Sequence, residues 1–274
     1  MICVNFCEIL TQSHLENGTA KDIIRQIECR YNGAKISRIY VGSSFCSQYL
    51  KKMNFWNLLA QLCEEDDLHI TLCLPIVSER DLESTKKMLR EWIPHSERID
   101  EVTVNDLGML QFVSQTFTCK INLGRLFVKD ARDIRVQEYF NSCIHPSILS
   151  YDLTQLCVTG IEIDPMSRKL DLSGSNLDGI TVSLHSPYCY MTTGNICKYA
   201  SVHKAPEKKF RPNADCAFEC SSVCETYHAD KGDYFFDVIR VGRGVYFHNP
   251  NPAITGRIDR TLYFPIEEML EKAT

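Results

Sequence analysis

The sequence predicts an α/β protein: a (β/α)8 TIM-barrel-like domain followed by a C-terminal cysteine-rich insert and a small cap. Three observations predict it. Short β-branched or apolar runs alternate with helix-periodic stretches over the first two-thirds of the chain, the pattern of βα units on a parallel sheet. Eight such runs occur, the number that closes a barrel. After about Leu184 the texture changes, and five cysteines crowd into residues 189–224.

In chain order the strand candidates are Ile2–Phe6, Ile36–Val41, His69–Leu74, Ile99–Val104, Cys119–Asn122, Ile148–Tyr151, Gly160–Ile163 and Ile180–Leu184. Between them lie Ala20–Tyr31, Phe55–Glu64, Ser78–Trp92, Leu107–Thr116 and Asp130–Asn141. In these, as in Asp22-Ile23-Ile24-Arg25-Gln26-Ile27, apolar residues recur at helical spacing. The later helices are abbreviated, which allows an incomplete or distorted barrel. An open doubly wound sheet is the competing fold, but no glycine-rich fingerprint follows the first strand. The organisation read from this is a barrel-like domain over 1–184 and a cysteine-rich segment over 185–233. Residues 234–274 complete the same domain: strands Tyr234–Val241 and Gly244–Phe247 bracket Gly242-Arg243, and a helix covers Ile266–Lys272.

Composition narrows the function classes. The 274 residues are 44% hydrophobic and 24% charged, enough to bury a sizeable core. Thirty Lys and Arg against 35 Asp and Glu give a formal charge of -5, so no global basic field holds nucleic acid or an anionic membrane. The apolar runs are too short to span a bilayer. No basic residues precede the apolar start Met1–Phe6, so no secretory signal is expected and the expected location is cytoplasmic. Fourteen cysteines are an excess for such a chain. Without an export signal, thiolate ligation or a reducing, anaerobic cytoplasm explains them better than disulfides.

The insert reads Cys189-x7-Cys197-x18-Cys216-x3-Cys220-x3-Cys224. Thiolates at these separations can converge on one metal or cluster. Zinc favours tight paired knuckles, and the first pair here is too wide for one. Irregular spacing suits a [4Fe–4S] cluster held by four thiolates; free structural cysteines are the third reading. The three-cysteine run departs from the radical-SAM pattern of three then two intervening residues, and it lies beyond the barrel. Cys46 follows strand Ile36–Val41 at the C-terminal barrel face, where active sites are built. If the last barrel strand ends near Leu184, strands one, two and eight are neighbours and Cys46 lies within reach of Cys197 and Cys216. The bland reading of Cys46 is a small buried hydrophobe.

Four further positions carry polar candidates. The segment Asn122–Asp133 brings Asn122, Arg125, Lys129 and Arg132 to the same face, where fixed cations could hold a carboxylate-bearing cosubstrate. Asn105 and Asp106 end the fourth strand, and Asp106 can equally be the N-cap of the next helix. His185 closes the last strand as an acid/base candidate or a hydrogen-bonded wall residue. The basic stretch Lys204–Arg211 could clamp nucleic acid, but one solvated loop in an acidic chain makes that the weaker expectation.

Three segments together, Arg38-Ile39-Tyr40-Val41-Gly42-Ser43-Ser44-Phe45-Cys46, Val102-Thr103-Val104-Asn105-Asp106-Leu107-Gly108 and Asp215-Cys216-Ala217-Phe218-Glu219-Cys220, resemble the UbiV-type branch of the collagenase-like peptidase family (peptidase family U-32). The likeness runs discontinuously over roughly residues 36–225. It implies an iron–sulfur protein of oxygen-independent hydroxylation, either hydroxylase subunit or accessory subunit, with a [4Fe–4S] cluster on Cys46, Cys197, Cys216 and Cys220. Cys197 is preferred to Cys189 because Thr193-Gly194-Asn195-Ile196-Cys197 is similar to the family's Ser-Gly-x-Cys segment; Cys189 and Cys224 are the alternates. The separation of Cys197 from Cys216 is longer than the family pattern. The resemblance also implies prephenate as oxygen donor and a homologous partner subunit in a heterodimer, a homo-oligomer being the other assembly. A zinc-stabilised, non-enzymatic binding or scaffold protein is the alternative function. A peptidase ranks last, since no His-Glu-x-x-His or Gly-x-Ser-x-Gly motif occurs.

Overall fold

A computed structural model of the protein describes residues 1–9, 16–63, 68–128, 143–144, 152–164, 169–173, 177–212, 214–220, 224–231 and 234–271. Its elements run β1 (Ile2–Asn5), α1 (Thr19–Arg30), β2 (Arg38–Gly42), α2 (Ser47–Lys52), α3 (Phe55–Cys63), β3 (His69–Cys73), α4 (Glu79–Trp92), β4 (Ile99–Val104), α5 (Leu107–Thr116) and β5 (Lys120–Leu123). They continue β6 (Cys143–Ile144), β7 (Gly160–Ile163), β8 (Lys169–Asp171), β9 (Thr181–Ser186), β10 (Tyr188–Thr193), β11 (Cys224–Lys231), β12 (Tyr234–Val241), β13 (Gly244–His248), β14 (Ile254–Thr255), β15 (Arg260–Tyr263) and α6 (Ile266–Glu271).

Eight parallel strands close a barrel in the order β1-β15-β9-β7-β5-β4-β3-β2. Two smaller sheets flank it, the antiparallel β10-β13-β12-β11 and the parallel β14-β8-β6. Seven of the eight expected runs supply barrel strands. Ile148–Tyr151 and the expected helix Asp130–Asn141 lie outside the described residues. The closing strand is instead β15, between β1 and β9, with Ile2 opposite Thr261 and Arg260 opposite Ser183. The sequence reading missed it because one of its two inward residues is the charged Arg260. This corrects the adjacency inferred for Cys46: β9 borders β15, not β1. All eight strands remain parallel, so the loops after β2 and after β9 still leave by one face.

The barrel wall alternates with period two. Val4, Ile39, Val41, Ile70, Leu72, Val102, Val104, Ile121, Leu123, Ile161, Ile163, Val182 and Leu184 point outward into the main core, where α1, α3, α4 and α5 lay their apolar faces. The other phase fills the lumen, with Cys3, Tyr40, Cys73 and Leu262 as its apolar part. The rest of the lumen is polar. Arg38 grips Asp100 at 2.8 and 2.7 Å, and Arg260 grips Glu101 at 2.8 and 2.9 Å. The Thr71 hydroxyl donates to Glu101 at 2.7 Å. Burial alone would raise the Glu101 carboxyl; Arg38 and Arg260 outweigh it and hold the group below the ordinary carboxylate range.

Candidate metal centre

Cys46 is placed by a tight loop at the mouth. Gly42 sits at φ 106°, and a Cβ there would stand 2.4 Å from the Cys73 carbonyl oxygen, so only glycine lets β2 and β3 approach this closely. The buried Glu8 carboxylate, just past β1, accepts from the Ser43 hydroxyl at 2.8 Å, from the Phe45 N–H at 3.1 Å and from the Ser44 N–H. Ser43 Oγ in turn accepts the Cys46 N–H at 2.7 Å. The next helix, α2, is pinned by Asp81 of α4, which takes Ser47 Oγ at 3.1 Å and Lys51 Nζ at 2.6 Å.

Cys197 and the Cys216–Cys220 loop reach the same spot from the insert. Arg243 closes the two-residue turn between β12 and β13, where Gly242 takes φ 54°. Its Nε donates to the Gly194 carbonyl at 2.7 Å and an Nη to Asn195 Oδ1 at 3.0 Å, which fixes the backbone just before Cys197. Phe218, between Cys216 and Cys220, sits at φ 71° and packs its ring 5.2 Å from Tyr49 of α2. The loop is thereby docked on the helix that begins at Cys46.

Cys46, Cys197, Cys216 and Cys220 line one cavity, open to solvent, together with Glu8, Tyr49, Phe218 and Arg243. Backbone N–H groups are already turned on the sulfurs. Ala200 donates to Cys197 Sγ at 3.5 Å, Gln48 and Tyr49 to Cys46, and Phe218 to Cys216. Burial nevertheless raises the thiols of Cys46 and Cys216. Cys220 is pushed up to about 12, first by burial and then by Cys46, Cys197 and Cys216, whose negative charge it would share. The Arg243 guanidinium works the other way on Cys46 and favours its thiolate. Among the described residues no group of three or more Cys, His, Asp or Glu converges tightly enough to hold a single metal ion. Tetrahedral zinc bonds of about 2.3 Å would bring neighbouring sulfurs to roughly 3.8 Å. The four thiols line one cavity without being gathered into such a sphere.

The alternates fall elsewhere. Cys189 is buried in β10 with its sulfur 3.5 Å from the Tyr190 carbonyl oxygen, beside Arg125. Cys224 opens β11 opposite Val241 and packs on the main core. Cys3, Cys7 and Cys73 are buried small residues around the lumen. The twelve cysteines whose side chains are described are free thiols.

The polar candidates at the barrel mouth are largely spent on the fold. Arg125 is 1% exposed and pairs with Asp164, itself 0% exposed. Its guanidinium is surrounded by the rings of Phe45, Tyr190 and Tyr246 at 5.8, 5.8 and 5.4 Å. Burial opposes the charge, Asp164 outweighs burial, and the guanidinium titrates above its ordinary range. An anion arriving from solution would have to displace Asp164. Lys129 and Arg132 lie outside the described residues. Asn122 is buried in the wall, its Nδ2 3.5 Å from Thr103 Oγ1. Asn105 ties Leu74 to Leu126, and Asp106 is the N-cap of α5, accepting from Met109 N–H at 2.7 Å. His185 is buried between Glu162 Oε2 at 2.9 Å and Asn5 Nδ2 at 3.4 Å.

Sequence reasoning missed Glu8 and Arg243. A carboxylate directly after the first strand was the available signal for Glu8; for Arg243 it was an arginine in a glycine-flanked two-residue turn. Compared with known proteins, the chain matches no family model, no curated protein and no solved structure.

Proposed function

We propose that this chain is a [4Fe–4S] protein, with the cluster held by Cys46, Cys197, Cys216 and Cys220, and that it serves an oxygen-independent hydroxylation system as its electron-transferring subunit. The observation that carries the cluster is the meeting of these four thiols, from three separate segments, around one cavity. Two features support it. The N–H groups aimed at the sulfurs are the kind of contact that tunes iron–sulfur centres. The irregular cysteine spacing also departs from the tight paired knuckles that a zinc scaffold favours. When bound, such a cluster supplies one-electron transfer, and four cysteine ligands leave no iron free for a substrate by ligand count. Arg243 supplies a fixed cation beside a donor set that becomes anionic on ligation.

The hydroxylation role rests on the resemblance of the three motif segments. Arg125, the cation expected to hold an anionic oxygen donor, is buried against Asp164, and this supports an accessory role over that of the donor-binding subunit. The partner subunit implied by the resemblance would then hold the donor. Iron, acid-labile sulfide and zinc are to be measured after anaerobic purification, with a visible spectrum of the same sample. About four iron and four sulfide per chain, with absorbance near 400 nm that bleaches on reduction, is the expected result. One zinc and no sulfide overturns the reading in favour of the scaffold. In cells, loss of a hydroxylated product only without oxygen, on deletion of this chain, tests the second half.

A further inference from the structure

Beside the thiol cavity the chain exposes apolar residues inside a basic frame. Ile196 precedes Cys197 and is 47% exposed; Val202 and Phe210 are 53% and 59% exposed. They belong to one surface, because Ile196 pairs with Pro212, and the Phe210 N–H donates to Ser201 Oγ, which itself donates to the Cys197 carbonyl at 3.0 Å. Residues 198–211 carry Lys198, Lys204, Lys208, Lys209 and Arg211 against the single carboxylate Glu207, in a chain whose formal charge is -5. Lys198 is paired with Glu225, and Lys204 Nζ donates to the Asp215 carbonyl. Lys208 and Arg211 are exposed and Lys209 is half-buried, with Arg211 also donating to the Glu207 carbonyl.

From this we infer that the Ile196–Val202–Phe210 face is the docking site of a small acidic electron-carrier protein. An apolar centre with a charged rim is the anatomy of a transient protein interface, and rim charge of one sign steers an oppositely charged partner. Ile196 adjoins the cavity thiol Cys197, so a carrier seated on this face lies beside the proposed cluster. It is less suited to nucleic acid, which is gripped by aromatic platforms along a basic groove; here one aromatic stands among aliphatic residues. The inference rests on the cluster reading above. In the transfer itself one electron leaves the reduced flavin or iron–sulfur centre of the carrier and enters the cluster. The carrier is oxidised by one electron, the cluster reduced by one, and no bond is made or broken.

The test uses the whole chain loaded with iron and sulfide, and fully reduced flavodoxin as the probe, with cluster bleaching followed by stopped flow. The expected second-order rate constant falls steeply with salt. At low salt it drops at least about tenfold in Lys208→Glu/Lys209→Glu/Arg211→Glu and severalfold in Phe210→Ser, while reduction by dithionite stays within about twofold. Flavodoxin rates that ignore salt and all four substitutions overturn the inference and leave the cluster standing. The docking site is equally overturned if the triple variant loses binding to a poly(U) RNA, or changes oligomeric state by sedimentation, with its flavodoxin rate intact. Failure of dithionite to bleach a loaded sample overturns the cluster reading, and the docking site falls with it.

Discussion

In the barrel lumen Glu101 faces Arg38 and Arg260, Arg125 faces Asp164, and His185 faces Glu162. In the cysteine cavity four thiols face one another, and burial holds Cys46, Cys216 and Cys220 in their neutral form. Both regions bury polar side chains, the Arg38–Glu101–Arg260 group near the starts of the barrel strands and the cavity beyond their ends. The lumen satisfies itself: its charges are opposite and paired, so its polarity is spent on structure. The cavity cannot do so, since ionising one thiol makes ionising the next harder. A positively charged inorganic centre is what turns that repulsion into ligation. Partnered polarity thus marks structure here, and a crowd of like groups eased only in part by Arg243 marks the candidate site.

That contrast predicts how each region fails. Glu101→Ala strands the buried Arg260 guanidinium, while Arg38 keeps Asp100, and is expected to cost about 3–5 kcal/mol in urea unfolding, leaving cysteine-dependent metal binding untouched once folded. Cys220→Ala is expected to reverse the pattern, changing stability by less than about 1 kcal/mol while iron and sulfide content falls about tenfold or more. Cys189→Ala and Cys224→Ala should keep their iron; loss of iron in either would redraw the ligand set. His185→Leu leaves Glu162 short of a buried partner and is expected to cost about 1–3 kcal/mol with an unchanged visible spectrum. A hydroxylation defect without a stability defect would break the comparison and make His185 a reacting group.

Acid should separate the two regions as well. Glu101 is buried and Asp100 half-buried, which alone would raise them, yet Arg38 holds both below the ordinary carboxylate range. Groups with lowered folded values contribute stability that is complete above the unfolded value, near 4. That contribution is lost as pH falls through the folded values. The urea midpoint should therefore drop steeply below about pH 4 in the wild type and less steeply in Glu101→Ala. The smallest effect is on the cluster potential. Arg243→Leu removes a cation beside Cys46 and is expected to move the midpoint to more negative values, with Arg243→Lys restoring most of it. A tenfold change in the oxidised-to-reduced ratio corresponds to about 59 mV.

Much of this was readable before the fold was. The alternation of Ile39, Val41, Ile70 and Leu72 with inward partners is a local signal, and so is the helical spacing in Glu79–Trp92. β15 was not readable, because Arg260-Thr261-Leu262-Tyr263 is short and its inward arginine is acceptable only where Glu101 waits across the lumen. At the candidate site the crowded cysteines and the strand-end position of Cys46 stood out in one dimension. The dual role of Arg243, bracing Gly194 and Asn195 while favouring the Cys46 thiolate, did not.

By itself the sequence determined the α/β class, seven of the barrel strands and the crowding of the cysteines, because periodicity, spacing and residue chemistry are properties of neighbours along the chain. Only the tertiary structure decided that the C-terminal strand closes the barrel against Ile2, that Arg125 belongs to Asp164 and not to an incoming anion, and which cysteines share a cavity. Those outcomes depend on partners brought together from distant positions. A charged side chain shows nothing of its role until the opposite charge, or its absence, is in place beside it.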